Sequence, residues 1–260
     1  MSIVNGRTSA KAIGPQSERN ELFRSTITER NPLFHWYCGS VTGPETSRPL
    51  SGRRAEAARN DDRILDAARE VFLADPEAPV SAVATRARVG ISALYRRYPS
   101  KEDLLRALAA DGLCRYIADL QAALASDAEP WTAYTACLHR IVEGRSQALA
   151  QRLAGTFRPT AELTALAEQA GHLAQTLFGR ACRSGALRDD VSEADITLLL
   201  ETIMLVELPG PDEGTALRHR YLALLLQALH APAQAPLPGP PARQADLAAR
   251  WRAKGGTSGT

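Results

Sequence analysis

VSAVATRARVGISALYRRY, residues 80–98, has the pattern of two short helices joined by a tight turn. The second helix is predicted to begin at Ile91 and to end before Pro99. With about 100° between successive residues, its inward side is predicted to hold Ile91, Leu94, Tyr95 and Tyr98. Its outward side is predicted to hold Ser92, Ala93, Arg96 and Arg97. An apolar inner side and an outer side of small residues with two arginines are typical of a helix that lies in the DNA major groove.

Positive charge is concentrated around this helix-turn-helix pattern. Between Arg86 and Lys101 the chain has five cations and no acid, whereas the whole chain carries a net charge of only +2 from 31 basic and 29 acidic residues. The overall balance excludes a polycation such as a histone tail, so any basic partner surface must be local. A helical hairpin with solvated arginines is the alternative interpretation of the same pattern.

The sequence on both sides of the motif is helical in pattern, and the predicted fold is all-α. A first helix is predicted from a cap at Asn60 to Ala74, and a short second helix from Ser81 to Arg86. Ser100 with Asp103 and Ser192 with Asp195 have the spacing of capping boxes. The helices that follow are predicted at residues 100–126, 130–143, 146–154, 160–184, 192–208 and 213–229.

The two ends of the chain have the composition of loose segments. Residues 1–52 lack a periodic apolar pattern and are predicted to be a disordered extension, in which one apolar island, residues 33–38, is a candidate docking segment. Residues 231–260 contain five prolines between positions 232 and 241, which exclude a continuous helix. They are predicted to be a disordered tail rich in proline and alanine.

Composition also limits the compartment and the chemistry. The four cysteines are isolated in sequence, which predicts reduced thiols and neither a disulfide framework nor a metal site. No apolar run approaches the roughly 20 residues that span a bilayer, and the first residues lack the features of a secretory signal. We therefore expect a cytoplasmic protein with no membrane partner and no cofactor.

Two runs resemble the DNA-binding domain of TetR-family transcriptional regulators: ILDAAREVFLAD, residues 64–75, and VSAVATRARVGISALYRRYPSKEDLL, which begins at residue 80. The resemblance implies a three-helix helix-turn-helix domain over residues 57–118. It also implies a C-terminal helical bundle for ligand binding and dimerisation over residues 119–230. Two residues depart from the family pattern: Arg88 stands where glycine is common in the turn, and Gly90 where a capping serine is common.

The same resemblance implies a set of contacts with double-stranded operator DNA. Ser81 and Lys101 are expected at phosphates, and Arg53 with Arg54 is either an arm on the DNA or a solvated linker. The recognition helix is expected to meet base edges through Ile91, Ser92 and Ala93. The residues expected to contact backbone and bases are Tyr95, Arg96 and Arg97.

The resemblance further implies a small-molecule effector and a homodimer. Pocket walls need apolar side chains with a few polar groups, and an ordinary core position is the alternative for each candidate. The candidates are Trp131, Tyr134, Cys137, His139, Leu153, Phe157, His172 and Phe178. The last two helices have more apolar residues than one face requires. The predicted dimer interface is Leu199, Ile203, Val206, Leu222, Leu225 and Leu229.

Two other classes of protein compete with a ligand-responsive repressor that binds a palindromic operator. An enzyme is disfavoured, because the chain has no GxSxG elbow, phosphate loop, HExxH motif or paired acids. An architectural or scaffold protein that uses its helix-turn-helix without an effector remains as the alternative. Loss of operator binding on addition of a small molecule discriminates the two.

Overall fold

The computed structural model describes residues 52–144, 149, 153, 156–206, 211–232 and 235–247. In these ranges the fold is helical, and the β pairing is limited to an isolated bridge between Leu187 and His230. The predicted all-α class is confirmed. The helices are α1 Gly52–Ala74, α2 Val80–Ala87, α3 Ile91–Arg97, α4 Lys101–Ala125, α5 Pro130–Gly144, α6 Ala161–Arg183, α7 Glu193–Met204 and α8 Pro211–Leu229.

Helix α1 begins earlier than the sequence predicted. It starts at Gly52, so Asn60 lies inside the helix and does not cap it. The reason is composition: residues 53–59 are arginines, alanines and a glutamate, which are strong helix formers and carry the helix past Asn60. Arg53 and Arg54 consequently belong to a helix, which contradicts the interpretation as a free arm.

The head, which consists of α1, α2 and α3, has a small apolar core. Ile64, Leu65 and Phe72 of α1 are buried with Val83 of α2 and Leu94 of α3. The turn between α2 and α3 is closed by Arg88 in the left-handed conformation, with φ 56° and ψ 44°, and by hydrogen bonds to the last carbonyls of α2. These contacts fix α3 as a short helix on the outside of the head.

Helix α4 connects the head to the body, which consists of α5 to α8. Ser100 caps α4 by accepting a hydrogen bond from the amide of Asp103 at 3.0 Å, as the sequence predicted. The helix packs against α1 near its start and against α5 and α6 further along. Its 25 residues span about 37 Å, so one rigid element reaches from the head into the body.

The body helices follow the predicted order with shifted ends. Thr160 caps α6, and the predicted capping box of Ser192 with Asp195 starts α7. Helix α7 ends at Met204 instead of residue 208, where the sequence approaches Pro209. The predicted helix 146–154 and the predictions for residues 1–51 lie outside the described residues, apart from Leu149 and Leu153, which are buried and joined by a hydrogen bond.

Residues 235–247, here called the C-terminal strap, differ from the predicted disordered tail. The amides of Leu237 and Ala242 donate to the carboxylates of Asp190 at 2.8 Å and Asp195 at 2.9 Å. The hydroxyl of Ser192 donates to the carbonyl of Ala242 at 2.7 Å. A proline-rich composition predicts that helix is absent, but it carries no information about such main-chain anchors.

None of the helices in the described part of the chain is long and apolar enough to cross a membrane.

Candidate functional site

Helix α3 is anchored to the head by two side chains. Leu94 is fully buried and Tyr98 is 3% exposed. Ile91 and Tyr95, which the sequence placed on the inner side, are 40% and 46% exposed. Seven residues form only two turns, and about 100° separates Tyr95 from Leu94, so Ile91 and Tyr95 lie on the flank of the helix. The inward assignment of these two residues is wrong.

The outer surface of the helix-turn-helix carries polar and cationic groups beside this apolar flank. Ser81 is exposed in the first turn of α2, and Arg88 is exposed in the turn. On α3, Ser92 and Arg96 are exposed and Ala93 is half-buried. The exposed surface of α3 therefore has an apolar side and a polar side.

Arg97 lies against the head instead of pointing outward. Its Nε donates to the Asp61 carboxylate at 2.8 Å, and its guanidinium lies 5.4 Å from the centre of the Tyr98 ring. Burial raises the pKa of Asp61, which Arg97 lowers to a smaller extent. Sequence reasoning missed Asp61, although its place on the apolar stripe with Ile64 and Leu65 was a signal, because a charge at a core position needs a partner.

Lys101 also contacts the head. Its ammonium donates to the carbonyl of Pro76 at 3.2 Å and lies 5.4 Å from the centre of the Phe72 ring. Arg86, another of the five cations, pairs with Glu70 on α1. Lys101 and Arg86 of the basic patch predicted from sequence thus contact α1, and Arg86, Arg88 and Arg96 are exposed.

Three of the predicted pocket residues come together in the body. Trp131 and Tyr134 of α5 have ring centres 6.0 Å apart, and Phe178 of α6 lies 6.4 Å from Tyr134. His230 joins them edge-on to Trp131 at 5.3 Å. These four residues are called the aromatic cluster. Burial, followed by the nearby Glu193 carboxyl, raises the pKa of Tyr134 well above its usual value.

The C-terminal strap contacts Glu193, the carboxyl that acts on Tyr134 of the aromatic cluster. It follows His230 in the chain, and its Gln244 side chain donates to the carboxyl of Glu193. Burial raises the pKa of Glu193, although hydrogen bonds from Thr197 and Gln244 act in the opposite direction. A half-buried carboxyl beside a buried tyrosine is a polar group in an otherwise aromatic setting.

The other predicted pocket residues lie elsewhere. Cys137 is fully buried, and its thiol contacts the Asp119 carbonyl of α4 at 3.6 Å; burial raises the pKa of this thiol to about 12. His139 pairs with His219 of α8, with 3.2 Å between their Nδ1 atoms. His172 is exposed on α6. A periodic pattern identifies apolar positions, but it does not say which of them converge.

The rings of His139 and His219 stack between α5 and α8 with their centres 5.4 Å apart. Burial, and then the neighbouring His219, lower the pKa of His139. The described residues contain no group of three His, Cys, Asp or Glu side chains with the arrangement of a metal site.

Phe157 belongs to a loop that contacts the beginning of α4. The amide of Arg158 donates to the Glu102 carboxylate at 3.0 Å, and Arg106 Nε donates to the carbonyl of Arg158 at 3.0 Å. Glu102, Arg106 and Arg158 are called the α4 junction. The junction lies directly after Lys101, so it joins the loop before α6 to the part of α4 that contacts the head.

The predicted dimer interface is divided between core and surface. Leu222, Leu229 and Ile203 are buried in the chain's own core, so their assignment to an interface is wrong. Leu199 is exposed, and Val206 and Leu225 are half-buried. The excess of leucine in α7 and α8 predicts a second apolar surface without saying which residues form it. The exposed residues, called the α7–α8 apolar face, are Leu199, Leu205, Tyr221 and Leu224.

An exposed helix-turn-helix carried by a long helix on an all-helical body defines the class of helix-turn-helix regulators. Residues 64–108 match the family described as bacterial regulatory proteins, tetR family. Residues 129–231 match the C-terminal domain described as transcriptional regulator SbtR-like. The two matches together cover more than half of the chain, and the chain belongs to the TetR family of transcriptional regulators.

Individual proteins are similar to parts of the chain. The HTH-type transcriptional repressor LfrR of Mycolicibacterium smegmatis is 40% identical over 96 residues, which are 36% of this chain and 47% of the relative, so the match spans about half of the relative's length. A TetR transcriptional regulator from Streptomyces coelicolor is 27% identical with a TM-score of 0.49 and covers 66% of this chain and 99% of its own. A TetR transcription regulatory protein from Mycobacterium vanbaalenii is 27% identical with a TM-score of 0.47. This match covers 68% of this chain and 99% of the other.

Proposed function

We propose that the protein is a repressor that binds a palindromic operator as a dimer and releases it when a small molecule binds. The observation that carries the proposal is the exposed surface of α3 in a segment, residues 86–101, that has five cations and no acid. DNA carries one negative charge about every 1.7 Å of helix axis, so an acid-free basic segment favours it as a partner. The repressor role follows the description of the Mycolicibacterium smegmatis relative.

The DNA contacts divide into two groups in this proposal. Ser92, Ala93 and Arg96 of α3 meet base edges, with Ile91 and Tyr95 beside them, and Ser81 meets a phosphate at the start of α2. Arg97 and Lys101 contact the DNA backbone. Their side chains are already positioned by hydrogen bonds to Asp61 and to the carbonyl of Pro76, respectively. Contacts fixed by the head cost little ordering free energy on binding, which favours their role in positioning.

The dimer forms through the α7–α8 apolar face. Leu199, Leu205, Tyr221 and Leu224 are each at least 40% exposed, and exposed apolar side chains on two helices that pack together favour a protein interface. A two-fold dimer presents two recognition helices to two half-sites. In this arrangement residues 57–118 are the DNA-binding domain, residues 119–230 bind the effector and the partner, and the protein acts in the cytoplasm.

The effector binds at the aromatic cluster and acts on the head through α4. The cluster offers apolar rings with one carboxyl, Glu193, which fits the composition of small-molecule sites. The α4 junction supplies a second connection, because the loop before α6 is hydrogen-bonded to Glu102 and Arg106. A shift of α4 changes the separation of the recognition helices, whereas half-sites lie about 34 Å apart per turn of DNA.

The test begins with an operator selected from random duplexes. Arg96→Ala is expected to reduce the preference for operator over random DNA by about 1–3 kcal/mol, measured by fluorescence anisotropy at fixed salt. Arg183→Ala, which removes an exposed arginine from the end of α6, is the matched control and leaves the preference unchanged. Equal losses on both DNAs for Arg96→Ala contradict a base-reading role.

The effector part is tested separately. A compound found by thermal shift must bind less tightly to the operator complex than to the free protein, and by linkage the factor equals its effect on operator affinity. A compound that binds at the aromatic cluster with the same affinity in both states favours the architectural alternative.

A further inference from the structure

We infer that Ile91 reads the methyl group of a thymine in each half-site of the operator, an inference that rests on the proposed operator binding. The first observation is where exposed apolar side chains occur. Two of those in the described residues lie on α3 and four on the α7–α8 apolar face, while Leu237 lies in the C-terminal strap. They are Ile91, Tyr95, Leu199, Leu205, Tyr221, Leu224 and Leu237.

The position of Ile91 points to the groove and not to the head. Ile91 is the first residue of α3 and is 40% exposed, while Leu94 and Tyr98 make the buried contacts. The preceding Gly90 is also exposed, and a Cβ built on it meets nothing within 4 Å. The N-terminal residues of a recognition helix are those that contact base edges.

The chemistry of an isoleucine side chain limits what it recognises there. It has no hydrogen-bond donor or acceptor, and in the major groove the apolar group on a base edge is the thymine C5 methyl. Tyr95 lies one turn further along the same flank, four residues from Ile91, and is 46% exposed. Ser92 and Arg96 occupy the adjacent polar flank, which leaves the apolar flank for the methyl group.

Removing the methyl group from the DNA tests this contact without altering the protein. An operator is selected from random duplexes with the full-length protein, and each thymine is replaced in turn by deoxyuridine, symmetrically in both half-sites. Binding is measured by anisotropy at one salt concentration for the wild type, Ile91→Ala and the control Leu237→Ala, which truncates an exposed leucine in the strap. Thermal melts show whether each variant is folded.

The expected result is one thymine position per half-site at which deoxyuridine weakens binding. A buried methyl group corresponds to about fourfold in affinity, hence about fifteenfold for the two half-sites. The loss appears in the wild type and in Leu237→Ala and disappears in Ile91→Ala.

Three outcomes overturn the inference. Deoxyuridine without effect at every position means that Ile91 contacts sugar or solvent, and an undiminished loss in Ile91→Ala assigns the methyl group to another residue. A selected operator without thymine in its half-sites has the same consequence, and in these cases the proposed function still stands. Failure to select any operator, or equal binding of all sequences, contradicts the proposed function itself.

Discussion

Arg88 has a positive φ of 56°, a conformation that usually belongs to glycine, although its side chain is large. The left-handed conformation costs an ordinary residue roughly 1–2 kcal/mol, and glycine adopts it freely. We propose that the exposed Arg88 cation, in the turn directly before α3, contacts a DNA phosphate.

Arg88→Gly is expected to stabilise the protein and to weaken its binding to DNA. Relief of backbone strain exceeds the added entropy of the unfolded chain, so the free energy of unfolding rises by about 0.5–1 kcal/mol. Chemical denaturation measures this change, and anisotropy with random duplex DNA measures the loss of a cation. Arg86→Gly is the contrast: the same exchange inside α2 places glycine in a helix and also removes the exposed ion pair with Glu70, so it lowers the free energy of unfolding by about 1 kcal/mol.

Arg96 and Arg97 are neighbours with different roles, and the free energies of unfolding of their alanine variants are expected to differ. Arg97→Ala leaves the Asp61 carboxyl buried without its guanidinium, and we expect a loss of about 1–3 kcal/mol in the free energy of unfolding. Arg96→Ala removes an exposed side chain and changes stability by less than about 0.5 kcal/mol. Thermal and urea denaturation of the two variants at pH 7 checks both values.

The loss in Arg97→Ala has a definite pH dependence. Burial raises the pKa of Asp61 in the folded state, so the stability linked to this group is present below its unfolded pKa and is lost as the pH rises through the folded value. Without Arg97, the free-energy cost of burying the ionised Asp61 carboxylate is larger at neutral pH. The difference between wild type and variant should therefore shrink as the pH falls towards 4; a difference that grows on acidification contradicts the burial argument.

Local sequence signals predicted most of the elements. Capping boxes at Ser100 and Ser192 located two helix starts, because a side-chain cap depends on residues three apart. Asn60 failed as a start signal, since the helix formers before it outweigh one cap. For the α3 segment, the sequence correctly predicted that Leu94 and Tyr98 are buried, but not that Ile91 and Tyr95 are exposed. A helix of two turns needs few buried side chains, and periodicity does not say which apolar residues these are.

The tertiary relations were beyond such signals. The convergence of Trp131, Tyr134 and Phe178 and the contact of Arg158 with α4 depend on how helices pack. An excess of leucine in α7 and α8 predicts a further surface, but Leu222 is buried and Leu224 is exposed two residues later. The strap was missed because its anchors are main-chain amides.

The C-terminal strap provides a test at the level of one element. Leu237→Pro removes the amide that donates to Asp190, whereas Leu237→Ala keeps it and truncates an exposed side chain. We expect the proline variant to release the strap, so that trypsin cleaves after Arg243 faster than in the wild type. Mass spectrometry of the digestion follows the rate. A proline variant that is cleaved no faster than the wild type contradicts the role of the Leu237 amide as an anchor.

At the scale of the whole molecule, the exposed and the buried leucines of α8 predict opposite behaviour. Leu224→Glu places a charge on the α7–α8 apolar face, and we expect it to convert a dimer into a monomer and to weaken operator binding. Leu237→Glu adds the same charge outside that face and should leave the assembly unchanged. Sedimentation velocity measures the assembly, and an unchanged dimer in Leu224→Glu locates the interface elsewhere.

Leu222→Ala provides the contrast within the same helix. The side chain is fully buried, so its truncation is expected to lower the free energy of unfolding by about 2–5 kcal/mol. Circular dichroism melts detect this loss. A variant that melts like the wild type but sediments as a monomer would return Leu222 to the interface.

The main-chain anchoring of the C-terminal strap has a consequence for how the segment evolves. The prolines at 236, 238, 240 and 241 leave Leu237 and Ala242 with the amide hydrogens that the anchors use. The side chains of Leu237 and Ala242 are therefore free to change, provided that neither position becomes proline, whereas Gln244 also anchors the strap through its side chain. The C-terminal family match ends at residue 231, so the main-chain contacts that the strap makes with Asp190 and Asp195 come from a segment that lies outside that match.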